Sequence, residues 1–177
     1  MHEPELLLKT RRFDVVRLHY QAADGTVYTR EVARHPGAVT ILPLFDDGRV
    51  CLIRNYRVAV DQTLIELPAG TLEPGEDPAV AAARELEEET GYRAAEVRQL
   101  CEFFMSPGVL SERMYLFQAT GLTAGPTRLE GGEQIEPFVV SWQEAMALVE
   151  RGEIRDSKTL VGLLWFDRFG QTNPSSR

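Results

Sequence analysis

Glu85, Glu88 and Glu89 stand at i, i+3 and i+4 in the run RELEEET. On a helix that spacing projects three carboxylates from one adjoining face. Like charges so close weaken a helix, so something positive should sit among them. Hard divalent cations such as Mg²⁺ take oxygen ligands and suit such a cluster. A solvated acidic face is the plainer alternative, but the residues in front favour the cation. Pro68, Gly70, Pro74 and Gly75 break up the backbone and set a loop directly against the helix start. Arg84 is spaced to pair with Glu88 one turn on, and Glu87 points away from the other three.

The helix itself is well marked. Asp77 before Pro78 is an N-cap aspartate followed by proline at the first helical position, and Gly91 is a natural stop. Ala79, Ala82, Ala83, Leu86 and Thr90 recur at helical spacing and predict a narrow buried stripe.

Strands must hold this helix. Residues 13–34 read as a hairpin turning at Asp24-Gly25, and a lone hairpin is marginal in water, so it must pack on the following domain or on a second copy. AVTILPLF and VCLIRNYRVAV flank Asp46-Asp47-Gly48 as a second hairpin, and TLIELPAG reads as one short strand entering the loop. VRQLCEFFM, the loop SPGVLSER and MYLFQAT follow the helix. The glycine-bearing stretch from Gly121 to Glu136 has no periodicity and reads as a surface loop, after which FVV closes the sheet. Ser141 with Glu144 is a capping box opening a helix that Gly152 ends; Asp156 and Ser157 start another that ends near Gly170. The order implies an α+β fold with a mixed sheet between helices. Its divisions are residues 1–37 as an N-terminal segment, 38–170 as the main domain and 171–177 as a frayed tail.

The 177 residues suffice for one ordinary domain with a core and a small appendage. A net charge of −8 argues against broad nucleic-acid binding, although a cation and a few arginines can still make a local site for a phosphorylated small molecule. No apolar run is long enough to span a bilayer, and the opening MHEPELLLKTRR resembles neither a secretory signal nor a transit peptide. Cys51 and Cys101 lie in strand-like runs and read as free core thiols of a reducing cytoplasm.

Taken whole, the pattern is Gly70, five residues, Glu76, seven residues, Arg84-Glu85-Leu86, one residue, Glu88-Glu89, one residue, Gly91-Tyr92. It resembles the signature of the Nudix hydrolases at every fixed position, and the likeness extends over roughly residues 38–170. The resemblance implies an α/β/α sandwich and a divalent cation, Mg²⁺ with Mn²⁺ as a substitute. By position it makes Glu85 and Glu89 the main ligands, Glu88 a helper and Arg84 the residue that orients them. It adds the backbone carbonyl of Ala69 as a ligand and leaves Glu76 a loop-stabilising role.

The flanks REVARHPGA, LIRNYR, LIELPAG and SPGVLSER resemble the ADP-ribose pyrophosphatase branch of that family. That branch implies cleavage of ADP-ribose to AMP and ribose 5-phosphate by homodimers that pair through their N-terminal segments. GDP-mannose or another nucleotide sugar is the alternative substrate, and a non-catalytic ADP-ribose sensor the alternative of another class. Within this resemblance Arg57 and Arg34 match positions that contact the ligand, and Glu112 resembles a substrate-contacting acid. Arg54, Tyr56 and Ser106 are weaker candidates, and Phe13 and Tyr28 are possible stacking partners for the base. Glu133 is expected as the late-loop acid, a metal ligand or the catalytic base, with Glu130 and Glu136 as alternatives because Gly131 occupies one expected acidic place.

Overall fold

The computed structural model describes residues 3–129, 131–132 and 134–170. At its N-terminal end β1 (Glu5–Lys9), β2 (Asp14–Gln21) and β3 (Val27–Arg34) form an antiparallel sheet in the order β1-β2-β3. The β2–β3 hairpin turns where expected: Thr26 N–H donates to the Asp24 carboxylate at 2.9 Å, and Gly25 takes a φ of 86°. The sequence reading missed β1. Its Leu6-Leu7-Leu8 run has no period-2 alternation to reveal a strand, and all three side chains are exposed.

Two further sheets build the main domain. The first is mixed, ordered β7-β4-β10-β9 from β4 (Ala38–Pro43), β7 (Ala69–Thr71), β9 (Glu96–Phe104) and β10 (Arg113–Thr120). Here β10 runs parallel to β4, while β7 and β9 are antiparallel to their neighbours. The second is antiparallel, ordered β12-β5-β6 from β5 (Arg49–Arg57), β6 (Gln62–Glu66) and β12 (Ile135–Ser141). A two-residue pair, β8 (Tyr92–Arg93) with β11 (Thr123–Ala124), completes the strands of the described residues.

This differs from the single sheet expected. The turn at Asp46-Asp47-Gly48 forms, with Phe45 N–H donating to Arg49 O at 2.9 Å and Gly48 at φ 81°, but the strands on either side join different sheets. Pro43 has no N–H with which to extend a ladder toward β5, and the pairing stops at a Leu44–Val50 bridge. TLIELPAG is likewise two strands, not one. Leu67-Pro68 interrupts it, so that β6 belongs to the second sheet and β7 to the first. FVV lies in the second sheet, beside β5.

All six residues of β4 are buried, because helices cover both of its faces. On one side α1 (Pro78–Thr90) packs Ala81, Ala82 and Leu86 onto Val39, Ile41, Phe117 and Ala119. On the other, α2 (Trp142–Glu150) and α3 (Ser157–Trp165), the latter continued by a wider turn over Phe166–Gly170, pack Ala145, Leu148, Leu163 and Phe166 against Leu42, Val50, Leu52 and Leu67. The result is the expected α/β/α sandwich. Gly162 lets α3 approach closely, since a Cβ there would come within 2.6 Å of Leu67 Cδ1.

The buried stripe of α1 is rotated from the expected one. Ala79 and Ala83 are exposed, and Ala81, Ala82, Leu86, Glu89 and Thr90 are buried. Glu89 is thus on the packed side of the helix, 4% exposed. Both cysteines are free, and burial pushes the Cys51 thiol up to about 12. No helix among the described residues is long and apolar enough to cross a membrane.

Candidate active site

The site is assembled where α1 crosses β7. Asp77 caps the helix, accepting from Ala79 N–H at 2.8 Å, and Gly91 ends it in the left-handed conformation at φ 73°. These two residues set which turn of the helix lies against β7. A Cβ on Gly70 would fall 1.9 Å from the Glu85 carboxylate, so Glu85 lies flush on backbone that carries no side chain. The neighbouring Ala69 N–H donates to Glu89 Oε2 at 2.8 Å. The residues at 69 and 70 therefore seat one carboxylate each.

Arg84 supplies the positive charge expected among the acids. Its Nε and Nη2 donate to the two oxygens of Glu76, both at 2.9 Å, while Nη1 reaches Glu85 at 2.7 Å and Glu88 at 3.1 Å. Nη2 also reaches the Thr71 carbonyl at 3.4 Å. The Glu76 bond above all, against the opposing effect of burial, raises the guanidinium above its ordinary range. In return the same bond holds the Glu76 carboxyl below the usual glutamate range. Glu76 accepts Glu73 N–H as well, at 2.9 Å, which is the loop-stabilising role expected of it. Glu87 points elsewhere, to Arg93 at 2.7 Å and Arg128 at 2.9 Å.

Among the described residues no group of three or more His, Cys, Asp or Glu is already arranged around a common point as a metal cage. The Arg84 guanidinium lies between Glu85 and Glu88, and the late-loop acids Glu133 and Glu130 lie outside the described residues. The donor chemistry nevertheless suits a hard cation: adjacent carboxylates on one helix, two of them seated on the backbone of residues 69 and 70. The loop that leads to Glu130 is fastened to the end of α1. Arg128 N–H donates to Glu88 O at 2.9 Å, and a Cβ on Gly91 would come within 2.3 Å of Gly125 O.

Arg57 lies at the end of β5, and its Nε and Nη2 grip Glu66 at 2.8 and 2.6 Å. It also feels the charge of Glu89, which relates it electrostatically to the acidic helix. Glu66 is fully buried and has a second cation, Lys158, at 2.5 Å, which in turn reaches Asp156 at 2.9 Å. The sequence reading singled out neither Glu66 nor Lys158. The available signal was a lone carboxylate inside the apolar run TLIELPAG, which asks for a buried partner.

The remaining candidates are distributed differently. Arg34, at the end of β3, lines a cavity of about 420 Å³ together with Lys9, Arg11, Arg12, Phe13 and His35. Glu112 stands 3.4 Å from His35 Nδ1. Both belong to the junction where the N-terminal sheet meets the loop after β9: Ala33 N–H donates to Val109 O and Ser111 N–H to Ala33 O, each at 2.9 Å. Ser106 uses its carbonyl to accept Val109 and Leu110 N–H in that loop, as a turn residue does. Tyr28 is stacked on Tyr20 at 5.7 Å, and Tyr56 donates to Asp61 at 2.7 Å. Arg54 lies 4.1 Å over the Phe138 ring and reaches Glu136 at 3.5 Å, so it is engaged with β12.

The site is thus an acidic helix seated on a glycine-marked strand, within an α/β/α sandwich. Residues 34–161 match the NUDIX domain, and the chain belongs to that family. It is 38% identical over 142 residues to the ADP-ribose pyrophosphatase of Bacillus subtilis, covering 79% of this chain and 77% of that protein. It is 35% identical over 188 residues to a GDP-mannose pyrophosphatase of Klebsiella pneumoniae, covering 99% and 92%. A crystal structure of an ADP compounds hydrolase shares the fold with a TM-score of 0.82 at 24% identity, over 94% of this chain and 91% of that one.

Proposed function

We propose that the protein hydrolyses the diphosphate bond of ADP-ribose, or of a related nucleoside diphosphate sugar, with a divalent cation as cofactor. Water adds across the bond, and from ADP-ribose the products are AMP and ribose 5-phosphate. The observation that carries the reaction is the seating of Glu85 and Glu89 on the backbone of residues 70 and 69. The likeness to the Bacillus subtilis ADP-ribose pyrophosphatase supports the substrate.

Glu85, Glu88 and Glu89, with the Ala69 carbonyl and Glu133, would hold Mg²⁺, or Mn²⁺ in its place. When bound, such a cation supplies Lewis acidity toward a phosphoryl oxygen. Arg84 holds Glu85 and Glu88 in position through its Nη1. Arg57 keeps Nη1 outside its Glu66 fork and can donate from it to a diphosphate oxygen. Arg34, Phe13 and Glu112 serve the nucleoside end from the junction with the N-terminal sheet. Glu133 takes the proton of the attacking water, with Glu130 and Glu136 as its alternatives, the last of them reached by Arg54 at 3.5 Å. The N-terminal sheet pairs with that of a second copy to form a homodimer.

GDP-mannose is the second reading, favoured by a relative that aligns over 99% of the chain, the N-terminal sheet included. Incubation with Mg²⁺ and ADP-ribose, GDP-mannose, NADH or nucleoside triphosphates, followed by separation of the products, decides between them. The expected result is the highest kcat/KM for ADP-ribose. Faster GDP-mannose cleavage would replace the first reading by the second. Free phosphate from triphosphates alone would remove both.

A further inference from the structure

Arg57 and the three charged groups behind it form a continuous chain: Asp156, Lys158, Glu66 and Arg57, linked at 2.9, 2.5 and 2.6 Å. The side chain of Glu66 is fully buried and that of Lys158 is 7% exposed, whereas that of Arg57 is 37% exposed. The chain therefore starts at the N-cap of α3 and ends in a guanidinium at the surface. Its two positive and two negative groups compensate one another, as buried charges must.

The geometry fixes which edge of Arg57 is available. Glu66 takes Nε and Nη2 in a two-point fork, so the guanidinium plane cannot rotate without breaking both bonds. Glu66 in turn must be held, because Arg57 alone could draw its carboxylate outward. Lys158 binds the same Oε2 and is itself held by Asp156, the N-cap of α3. The backbone beside Glu66 is fastened to the same helix end, with Leu67 N–H donating to Thr159 Oγ1 at 2.8 Å and Thr159 Oγ1 donating to Asp156 at 2.6 Å. Two residues on, Ala69 N–H seats Glu89. One short segment, residues 66–70, thus carries the anchor of Arg57 and the seats of both principal acids. The start of α3 grips it from beneath.

We infer that Lys158 is a positioning residue for the reaction: through Glu66 it sets the guanidinium of Arg57 so that Nη1 faces the diphosphate of the substrate. The inference rests on the proposed reading in which Arg57 binds that diphosphate. Lys158 itself touches no substrate. Its effect passes entirely through Arg57, and this separates it from a residue that merely supports the fold.

Two measurements test this. In steady-state kinetics on the nucleoside diphosphate sugar that the wild type cleaves best, Lys158→Met should lower kcat/KM about tenfold, mostly through KM, as a displaced binding group does. Lys158→Arg, which keeps a donor cation, should recover part of the loss. In an Arg57→Ala background Lys158→Met should cost nothing further; an equal loss in both backgrounds would overturn the inference. The second measurement needs no turnover. In ¹⁵N-labelled protein the Arg57 Nε–H resonance, identified by its disappearance in Arg57→Ala, should shift and exchange faster with water in Lys158→Met. An unchanged resonance would likewise overturn the inference. If the wild type cleaves no nucleoside diphosphate sugar, the proposed function falls, while the resonance still decides whether Lys158 positions Arg57. Should Lys158→Met fail to fold, Glu66→Gln takes its place in both measurements with the same expectations.

Discussion

At the scale of single residues, a glycine and a backbone N–H decide where the acids of this Nudix protein stand. A side chain at residue 70 would occupy the place of the Glu85 carboxylate, so Gly70→Ala must push Glu85 away or move β7. We expect this one methyl to lower Mg²⁺-dependent turnover at least a hundredfold while the thermal midpoint changes by only a few degrees; near-normal turnover would show that Glu85 works from another position. Glu85→Gln and Glu89→Gln keep the shape of the helix and remove charge. Each should reduce turnover by orders of magnitude in a protein that still melts cooperatively, and full activity in both would remove them from the cation site. Glu89 differs from Glu85 in being buried, and its amide replacement retains an acceptor for Ala69 N–H, which should limit the stability loss.

At the scale of elements, the loop before α1 and the helix are tied by one arginine. Glu76 receives two bonds from Arg84, and its folded-state pKa is held below the ordinary glutamate value. A carboxyl depressed in the folded state contributes stability that is fully present above its unfolded pKa, about 4.3, and is lost as pH falls through the lower folded value. Wild type should therefore melt above Glu76→Gln at pH 6 to 7, and the gap should close as pH falls below about 4. A gap that stays constant down to pH 3 would mean the stabilisation is not electrostatic. The run TLIELPAG is divided between two sheets: Leu67-Pro68 ends β6 and lets β7 start in the other sheet, bringing Glu66 to Arg57 and Gly70 against Glu85.

At the scale of the whole molecule, the N-terminal sheet is the part with least cover. Leu6, Leu7, Leu8, Tyr20, Val27 and Tyr28 are exposed on its three strands. Among the described residues, its backbone hydrogen bonds to the main domain join Ala33 to Val109 and Ser111. Apolar surface of this kind is covered in stable assemblies. We expect a dimer by light scattering at micromolar concentration, and a shift toward monomer with a raised KM when residues 1–34 are deleted. A wild-type monomer with normal KM would contradict the pairing.

What could be read without the fold was what depends on near neighbours in the chain. The start and stop of α1, its run of acids, the caps of α2 and α3 and the turns at Asp24-Gly25 and Gly48 are all short-range features, and each formed. Helix capping and turn geometry are set within four or five residues, so local sequence determines them. The direction of the buried stripe was not local: Ala81 and Glu89 are inside, and Ala79 and Ala83 outside, because Val39, Ile41 and Phe117 choose the face on which α1 rests. The division of TLIELPAG between two sheets was equally hidden, since pairing partners tens of residues away decide it. The chain Asp156–Lys158–Glu66–Arg57 lay furthest from the sequence's reach. Two of its members are separated from the other two by about ninety residues, and burial of such charges is tolerable only after the fold has brought them together. The sequence by itself determined which acids share a helix; the tertiary structure decided which backbone they rest on and what holds the arginine beside them.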